Sequence, residues 1–169
     1  MKRFYISAKS DDVSHALNEK LKTALFAQGW LFDEEEPDIV FTIGGDGTFL
    51  HAVHKYLTKL SKTQLVGIHT GTLGFYTDYE ADEIDQLIED VVNKEPQVEE
   101  IRMLKITAKN GIILKNLYAL NEARVENIIK TQTIHVSIDG EYLEKFRGNG
   151  LCVSAQAGST AYNRSINGA

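Results

Sequence analysis

Cysteine occurs once in this chain of 169 residues, at Cys152, so no disulfide can close within it. That scarcity fits a reducing compartment. No apolar run is long enough for a membrane span or a signal core, and a cytoplasmic protein is the expectation. Cations are in deficit: 18 Lys and Arg stand against 24 Asp and Glu, a formal net charge of −6. This argues against broad, non-specific nucleic-acid binding but leaves room for a local basic pocket. There is no Gly-Lys-Ser or Gly-Lys-Thr, so no Walker-type phosphate loop. Internal repeats and low-complexity tracts are absent, and Asn163-Arg164-Ser165 is read as a chance sequon.

What is present is a hydrophobic fraction of 43%, enough for a core. The length suits one domain, or a small domain plus part of another. Arg3 to Ala8 reads as a strand. A helix follows with Val13, Ala16, Leu17, Leu21, Ala24 and Leu25 at helical spacing, Ser10 or Asp11 as N-cap and Gly29 as stop. Asp33 to Glu36 is an acidic loop before Pro37. Ile39 to Ile43 reads as a buried strand, followed by a glycine turn and a helix to about Leu60. Leu65 to Ile68 is a third strand, and Ile84, Leu87, Ile88 and Val91 mark a further helix. Such alternation implies a parallel sheet covered by helices. Ligands of such sheets lie outside the carboxyl ends of the strands, so the glycine loops at 44–48 and 69–75 are expected to share one crevice.

After Pro96 the pattern changes. Val98 to Lys109, Ile112 to Arg124 and Thr133 to Asp139 are strand candidates, with hairpin signals at Asn110-Gly111 and Asp139-Gly140 before Tyr142 to Phe146. The expected organisation is an α/β phosphate-binding domain over 1–96 and an antiparallel, β-sandwich-like domain over 97–169. Gly158-Ser159-Thr160-Ala161-Tyr162 reads as a turn opening a helix. A β domain that stops on an incipient helix suggests a chain lacking a C-terminal part.

The residues with the most chemical content are Gly44-Gly45-Asp46-Gly47-Thr48. Glycines between a buried strand and a helix start let backbone N–H groups approach phosphate oxygens. An acid inside that turn would repel a phosphate unless it binds a cation or takes a proton from a hydroxyl. Asp46 is therefore a candidate general base or metal-site carboxylate; an Asp-Gly turn residue bonding its own backbone is the plainer alternative. Asn121-Glu122 is placed at the end of a strand, where an amide can read a base or ribose edge; surface polarity is the alternative. Gly158 to Tyr162 offers free N–H groups and an aromatic face for a base, or else an ordinary cap with a core tyrosine. His51 and His54 lie one helical turn apart, but no third ligand at fitting spacing completes a metal site.

Taken together and in this order, Gly44-Gly45-Asp46-Gly47-Thr48-Phe49-Leu50, Gly67-Ile68-His69-Thr70-Gly71-Thr72-Leu73-Gly74-Phe75, Asn121-Glu122 and Gly158-Ser159-Thr160-Ala161-Tyr162-Asn163 resemble the bacterial NAD kinases. The first motif alone is shared with diacylglycerol and sphingosine kinases and, more loosely, with 6-phosphofructokinases; the ensemble is specific. The resemblance implies transfer of a phosphoryl group to the 2′-hydroxyl of the adenosine ribose of NAD, giving NADP. The donor is ATP, or polyphosphate in some members, with Mg²⁺ or another divalent cation. It implies that Asp46, between Gly45 and Gly47, is the base, and that Asn121 and Glu122 hold the NAD ribose and nicotinamide portion. It places Thr160, Ala161 and Tyr162 in the adenine pocket beside Asn163, with Phe75 and Ser165 as further ligand contacts. Arg147 matches a position reached across a subunit boundary in the family's homotetramers, so a homo-oligomer, tetramer or dimer, is implied. The implied fold is an α/β domain joined to a β-sandwich-like one. No nucleic-acid or membrane partner is implied.

Several positions depart from the pattern. Asn149 stands where Asp is usual, which keeps the shape and removes a charge at the nicotinamide end. Ala155-Gln156-Ala157 replaces the usual Thr-Pro-Ser/Thr, so Ala157 lacks a hydroxyl near the adenine. Asn167 stands where glycine is common, and family members run on for roughly another hundred residues, in keeping with two-domain sizes. Two alternatives stay open: a non-catalytic NAD- or NADP-binding protein, suggested by these departures, and a diacylglycerol-type lipid kinase, supported by the first motif alone.

Overall fold

The structure, a computed structural model, describes residues 1–71 and 74–168. The chain divides into two compact units, Met1–Val98 and Glu99 onward.

In the first unit, β1 (Arg3–Ala8) leads into α1 (Asp12–Ala27), then β2 (Leu31–Phe32), β3 (Ile39–Gly44), α2 (Asp46–Lys55), β4 (Gln64–His69), β5 (Tyr79–Glu80) and α3 (Ile84–Asn93). All pairings are parallel and the strand order is β2-β1-β3-β4-β5. The central strand β3 is buried at every position, as expected of a parallel strand covered on both faces. Phe4, Ile6, Phe41, Ile43 and Ile68 pack on one face with Leu21 and Leu25 of α1 and Ile84 and Leu87 of α3. Val40 packs on the other with Ala52 of α2 and Tyr56 just beyond it.

Asp11 is the α1 cap, its Oδ1 accepting the Ser14 N–H at 2.8 Å. Gly29, with φ of 75°, turns the chain out of the helix as expected. Val13, expected on the buried face, is 54% exposed, and Ser14 is buried instead. The second helix stops at Lys55 rather than near Leu60. Tighter bonds take over there, Lys59 N–H to Tyr56 C=O at 2.7 Å and Lys62 N–H to Lys59 C=O at 2.9 Å. The Tyr56 hydroxyl donates to the Glu34 carbonyl at 2.6 Å, which holds this segment against the acidic loop.

The second unit contains antiparallel pairs. β6 (Leu104–Asn110) and β7 (Ile113–Ala119) form a hairpin, as do β9 (Gln132–Ile138) and β10 (Glu141–Gly148), while β8 (Glu122–Glu126) pairs with β11 (Gly150–Ser154). Asp139 and Gly140 have φ of 53° and 86°, the left-handed pair a two-residue hairpin turn requires. Two expectations need correction, and one strand is added. The first strand begins at Leu104, not Val98. The stretch expected as one strand from Ile112 to Arg124 is two, broken at Leu120-Asn121, because Leu120 is buried and the Asn121 carbonyl accepts the Ala155 N–H at 2.7 Å. The strand Gly150–Ser154 was not anticipated; its mixed pattern carries no clean alternation. The turn at Gly158 opens the short helix α4 (Tyr162–Ser165), as the sequence suggested.

Candidate functional site

The carboxyl ends of β1, β3 and β4 open onto a crevice of about 470 Å³ lined by Lys9, Gly44, Gly45, Gly47, Thr48, Thr70 and Gly71. The two glycine loops therefore do meet at one site. Gly45 is the N-cap of α2, and its carbonyl accepts the Thr48 N–H at 2.9 Å and the Phe49 N–H at 3.3 Å. The earlier N–H groups of a helix's first turn have no partner within the helix, an arrangement that suits an anion. Gly44 has φ of 156°, and a Cβ there would collide with the Thr48 hydroxyl. Glycine at 44 is thus required by a close approach within the turn itself.

Asp46 is the first residue of α2 and is half-buried. Its Oδ1 accepts the Phe75 N–H at 2.9 Å and the Tyr76 N–H at 3.1 Å, and Oδ2 lies 3.1 Å from the same Phe75 nitrogen. The loop carrying those donors is held to α2 by stacking of Tyr76 on Phe49, with ring centroids 5.1 Å apart and planes 9° apart. Gly74 lies against the carboxylate so closely that a Cβ would strike Oδ1. A carboxylate has about four lone-pair sites, so Asp46 keeps acceptor capacity beyond the backbone donors it binds. Phe75 itself is 70% exposed. Thr72 and Leu73 of the expected loop motif lie outside the described residues.

In the second unit, Asn121 and Glu122 do not end a strand as expected. Asn121 precedes β8 and Glu122 opens it, paired with Ser154. The Glu122 Oε2 is buried with no hydrogen-bond partner among the described residues. A buried acceptor of this kind calls for a ligand or an ordered water. The backbone of Asn121 also packs on Gly158, where a Cβ would collide with it, so the Asn121-Glu122 corner and the Gly158 turn are adjacent. Ala157 is half-buried in that turn; Thr160 is exposed, and Ala161 is the residue before α4. Asn163 is buried and packs on Gly168. The Ser165 hydroxyl donates to the Tyr162 carbonyl at 2.7 Å. Tyr162 is 39% exposed, with the Arg124 guanidinium carbon 4.5 Å from its ring centroid, so a cation covers a face of the ring expected to stack on a base. Arg147 is exposed on β10 opposite Thr133. The Asn149 carbonyl accepts the Asn127 N–H at 2.7 Å and the Gln132 side-chain amide at 3.0 Å, which ties two strand pairs together.

His51 and His54 are exposed, and no group of three or more His, Cys, Asp or Glu among the described residues is arranged to hold a metal. The Cys152 thiol is pushed up in pKa by burial, then by the nearby Glu122 charge. Among the described residues no helix is long and apolar enough to cross a membrane.

Lys9 and Ser14 were not singled out in the sequence, whereas Thr70 lies in the glycine loop that was. Ser14 is buried in α1, and its hydroxyl lies 3.2 Å from that of Thr70, a crevice-lining residue. The available signal was topological, since Lys9 directly follows the first strand at the carboxyl end where ligands of parallel sheets gather.

A family model described as the ATP-NAD kinase N-terminal domain matches residues 7–96. The chain is 45% identical to an NAD kinase of Geobacillus stearothermophilus over 168 residues, 98% of this chain and 62% of that protein. It is 44% identical to NAD kinase 1 of Halalkalibacterium halodurans, covering 99% of this chain and 64% of the relative. It thus spans less than two thirds of the length of these curated relatives. Its fold is that of a yeast NADH kinase solved with NADH, at a TM-score of 0.87 and 20% identity over 100% of this chain and 62% of that one. An NAD kinase from Archaeoglobus fulgidus solved with ATP shares the fold at a TM-score of 0.68 and 24% identity, over 99% of this chain and 66% of that one.

Proposed function

The chain belongs to the NAD kinase family, and from that premise we propose that it carries the phosphoryl-transfer turn and part of the nucleotide site of an enzyme that converts NAD to NADP. The observation that carries this reading is the Asp46 carboxylate, held by the Phe75 and Tyr76 N–H groups in a turn whose Gly45 and Gly47 line the crevice.

In this reading Asp46 accepts the proton of the 2′-hydroxyl of the adenosine ribose. The 2′-oxygen forms the new bond to the donor's terminal phosphorus, and the bond from that phosphorus to the bridging oxygen breaks, leaving ADP. The backbone donors of Phe75 and Tyr76 orient the carboxylate and leave acceptor positions for the hydroxyl. The N–H groups at the start of α2 stabilise charge on the transferring group. ATP is the donor, with polyphosphate as the alternative. A divalent cation enters with the donor's phosphates as part of the substrate. Glu122, whose buried Oε2 has no hydrogen-bond partner among the described residues, Asn121 and Tyr162 are proposed as dinucleotide contacts. A homo-oligomer and a cytoplasmic setting complete the reading.

The test is NADP formation from NAD, Mg²⁺ and either ATP or polyphosphate, run beside Asp46→Asn. Turnover that the substitution abolishes supports the reading. NAD binding without turnover in the unsubstituted chain sinks it and favours a non-catalytic binding protein.

A further inference from the structure

A triphosphate brings several negative charges to a crevice, yet this chain has no Walker lysine and an acid in its phosphate turn. The crevice still contains a cation. Among the described residues that line it, Lys9 is the one with a charged side chain; the others are glycines and threonines. The Lys9 N–H donates to the Ile43 carbonyl at 2.9 Å, which places its backbone beside the end of β3. Its Cβ lies 3.4 Å from where a Gly44 side chain would begin. The stem of Lys9 therefore runs along the first residue of the glycine turn, and its side chain is 65% exposed.

We infer that Lys9 is the cationic contact for the donor's phosphates, taking the part that a lysine within the turn plays in other phosphate loops. The inference rests on the kinase reading above and adds a binding residue to it. In the structure the Lys9 ammonium is 3.2 Å from Asp11 Oδ2, while Asp11 Oδ1 caps α1 through Ser14. Ser14 in turn meets Thr70, whose N–H donates to the Gly44 carbonyl at 3.2 Å. One chain of contacts thus links the ammonium, the α1 cap and both glycine loops. The Lys9–Asp11 pair is exposed, and such pairs hold weakly in water. An ammonium on a four-carbon stem can therefore swing from one carboxylate to a cluster of phosphate oxygens.

The experiment titrates the full chain with inorganic triphosphate by calorimetry, with Mg²⁺ present, and compares Lys9→Ala, Lys9→Gln and Lys9→Arg. Thermal melting of each variant without ligand establishes that it is folded. The expected result is a loss of triphosphate affinity of about tenfold or more for Ala and Gln, the size of one charge-assisted contact. Arg should recover most of the affinity, and NAD affinity should be the same in all four proteins. A purely structural Lys9 would instead lower the melting temperature and weaken both ligands together, which overturns the inference. Triphosphate affinity unchanged in Lys9→Ala overturns it too, as does an unsubstituted chain that binds no triphosphate. The two readings separate cleanly. Lys9-dependent triphosphate binding without NADP formation upholds the inference while the kinase reading fails. NADP formation with an unaltered KM for ATP in Lys9→Ala does the reverse.

Discussion

The Asp46 carboxylate accepts the backbone N–H of Phe75 at 2.9 Å, across 29 positions of sequence. That bond joins the acid of the first glycine turn to the second glycine loop. It makes the orientation of the proposed base a property of the loop, and the shape of the loop a property of the base.

Asp46→Asn separates the two roles. The Asn carbonyl can still accept from Phe75 and Tyr76, so melting should change little. It cannot take a proton at neutral pH, so kcat for NADP formation should fall by about 10²–10⁴-fold. Unchanged kcat would remove Asp46 from the chemistry.

Gly74→Ala tests the same geometry without touching the acid. Its Cβ would meet Asp46 Oδ1, so either the carboxylate rotates or the loop shifts. The expected outcome is a destabilisation of about 1–3 kcal/mol, as for overpacking, together with a kcat loss. Chemical denaturation and the NADP assay read the two effects.

Asp38 sets an acid limit on stability. Its side-chain hydrogen bond with Arg3 (3.1 Å), followed by the Arg3 N–H (2.7 Å), holds its carboxyl below the ordinary value of 3.8. A depressed folded-state pKa stabilises above the unfolded value and is lost as pH falls through the folded one. Asp38→Asn should therefore be less stable than the parent chain at neutral pH, and the gap should close as pH falls below about 4. Denaturant melts from pH 7 down to pH 3 would check it; a gap that widens in acid would reverse the sign.

Phe4→Ala should cost about 3–5 kcal/mol, because it empties a buried site between sheet and helix. Phe4 is fully buried, packs with Leu21 and Leu25, and meets the rings of Phe26, Trp30 and Phe32 edge-on. Ile112→Ser, at a hairpin tip that is fully exposed, should stay within about 0.5 kcal/mol of the parent. Urea melts of both distinguish a core position from an exposed apolar one of similar hydrophobicity.

Much of the first unit was legible in the sequence because its signals are local and repeated. Ile39 to Ile43 is apolar at every position but Thr42, and that is the mark of a strand buried on both faces. Asp11 before a run at helical spacing and Gly29 after it mark the ends of α1. Asp139-Gly140 announced its hairpin through the positive φ both residues adopt. The second unit was less legible. The strand Gly150–Ser154 has no alternation to read, and its partner β8 lies 24 positions or more away in sequence. The break at Leu120-Asn121 comes from a carbonyl that bonds to Ala155, which no local pattern records.

The sequence by itself determined the order of elements and the chemistry on offer, because periodicity, glycine placement and residue type are local properties of a chain. It placed an acid inside a phosphate turn and two glycine loops at strand ends. Tertiary structure alone decided what surrounds that acid. Parallel pairing brings the ends of β1, β3 and β4 side by side, so N–H groups from Phe75 and Tyr76 reach Asp46 and the Cβ of Lys9 lies beside Gly44. Those contacts join residues about 30 positions apart; they exist only once the entropy of closing the intervening chain has been offset by burial of the sheet and its helices.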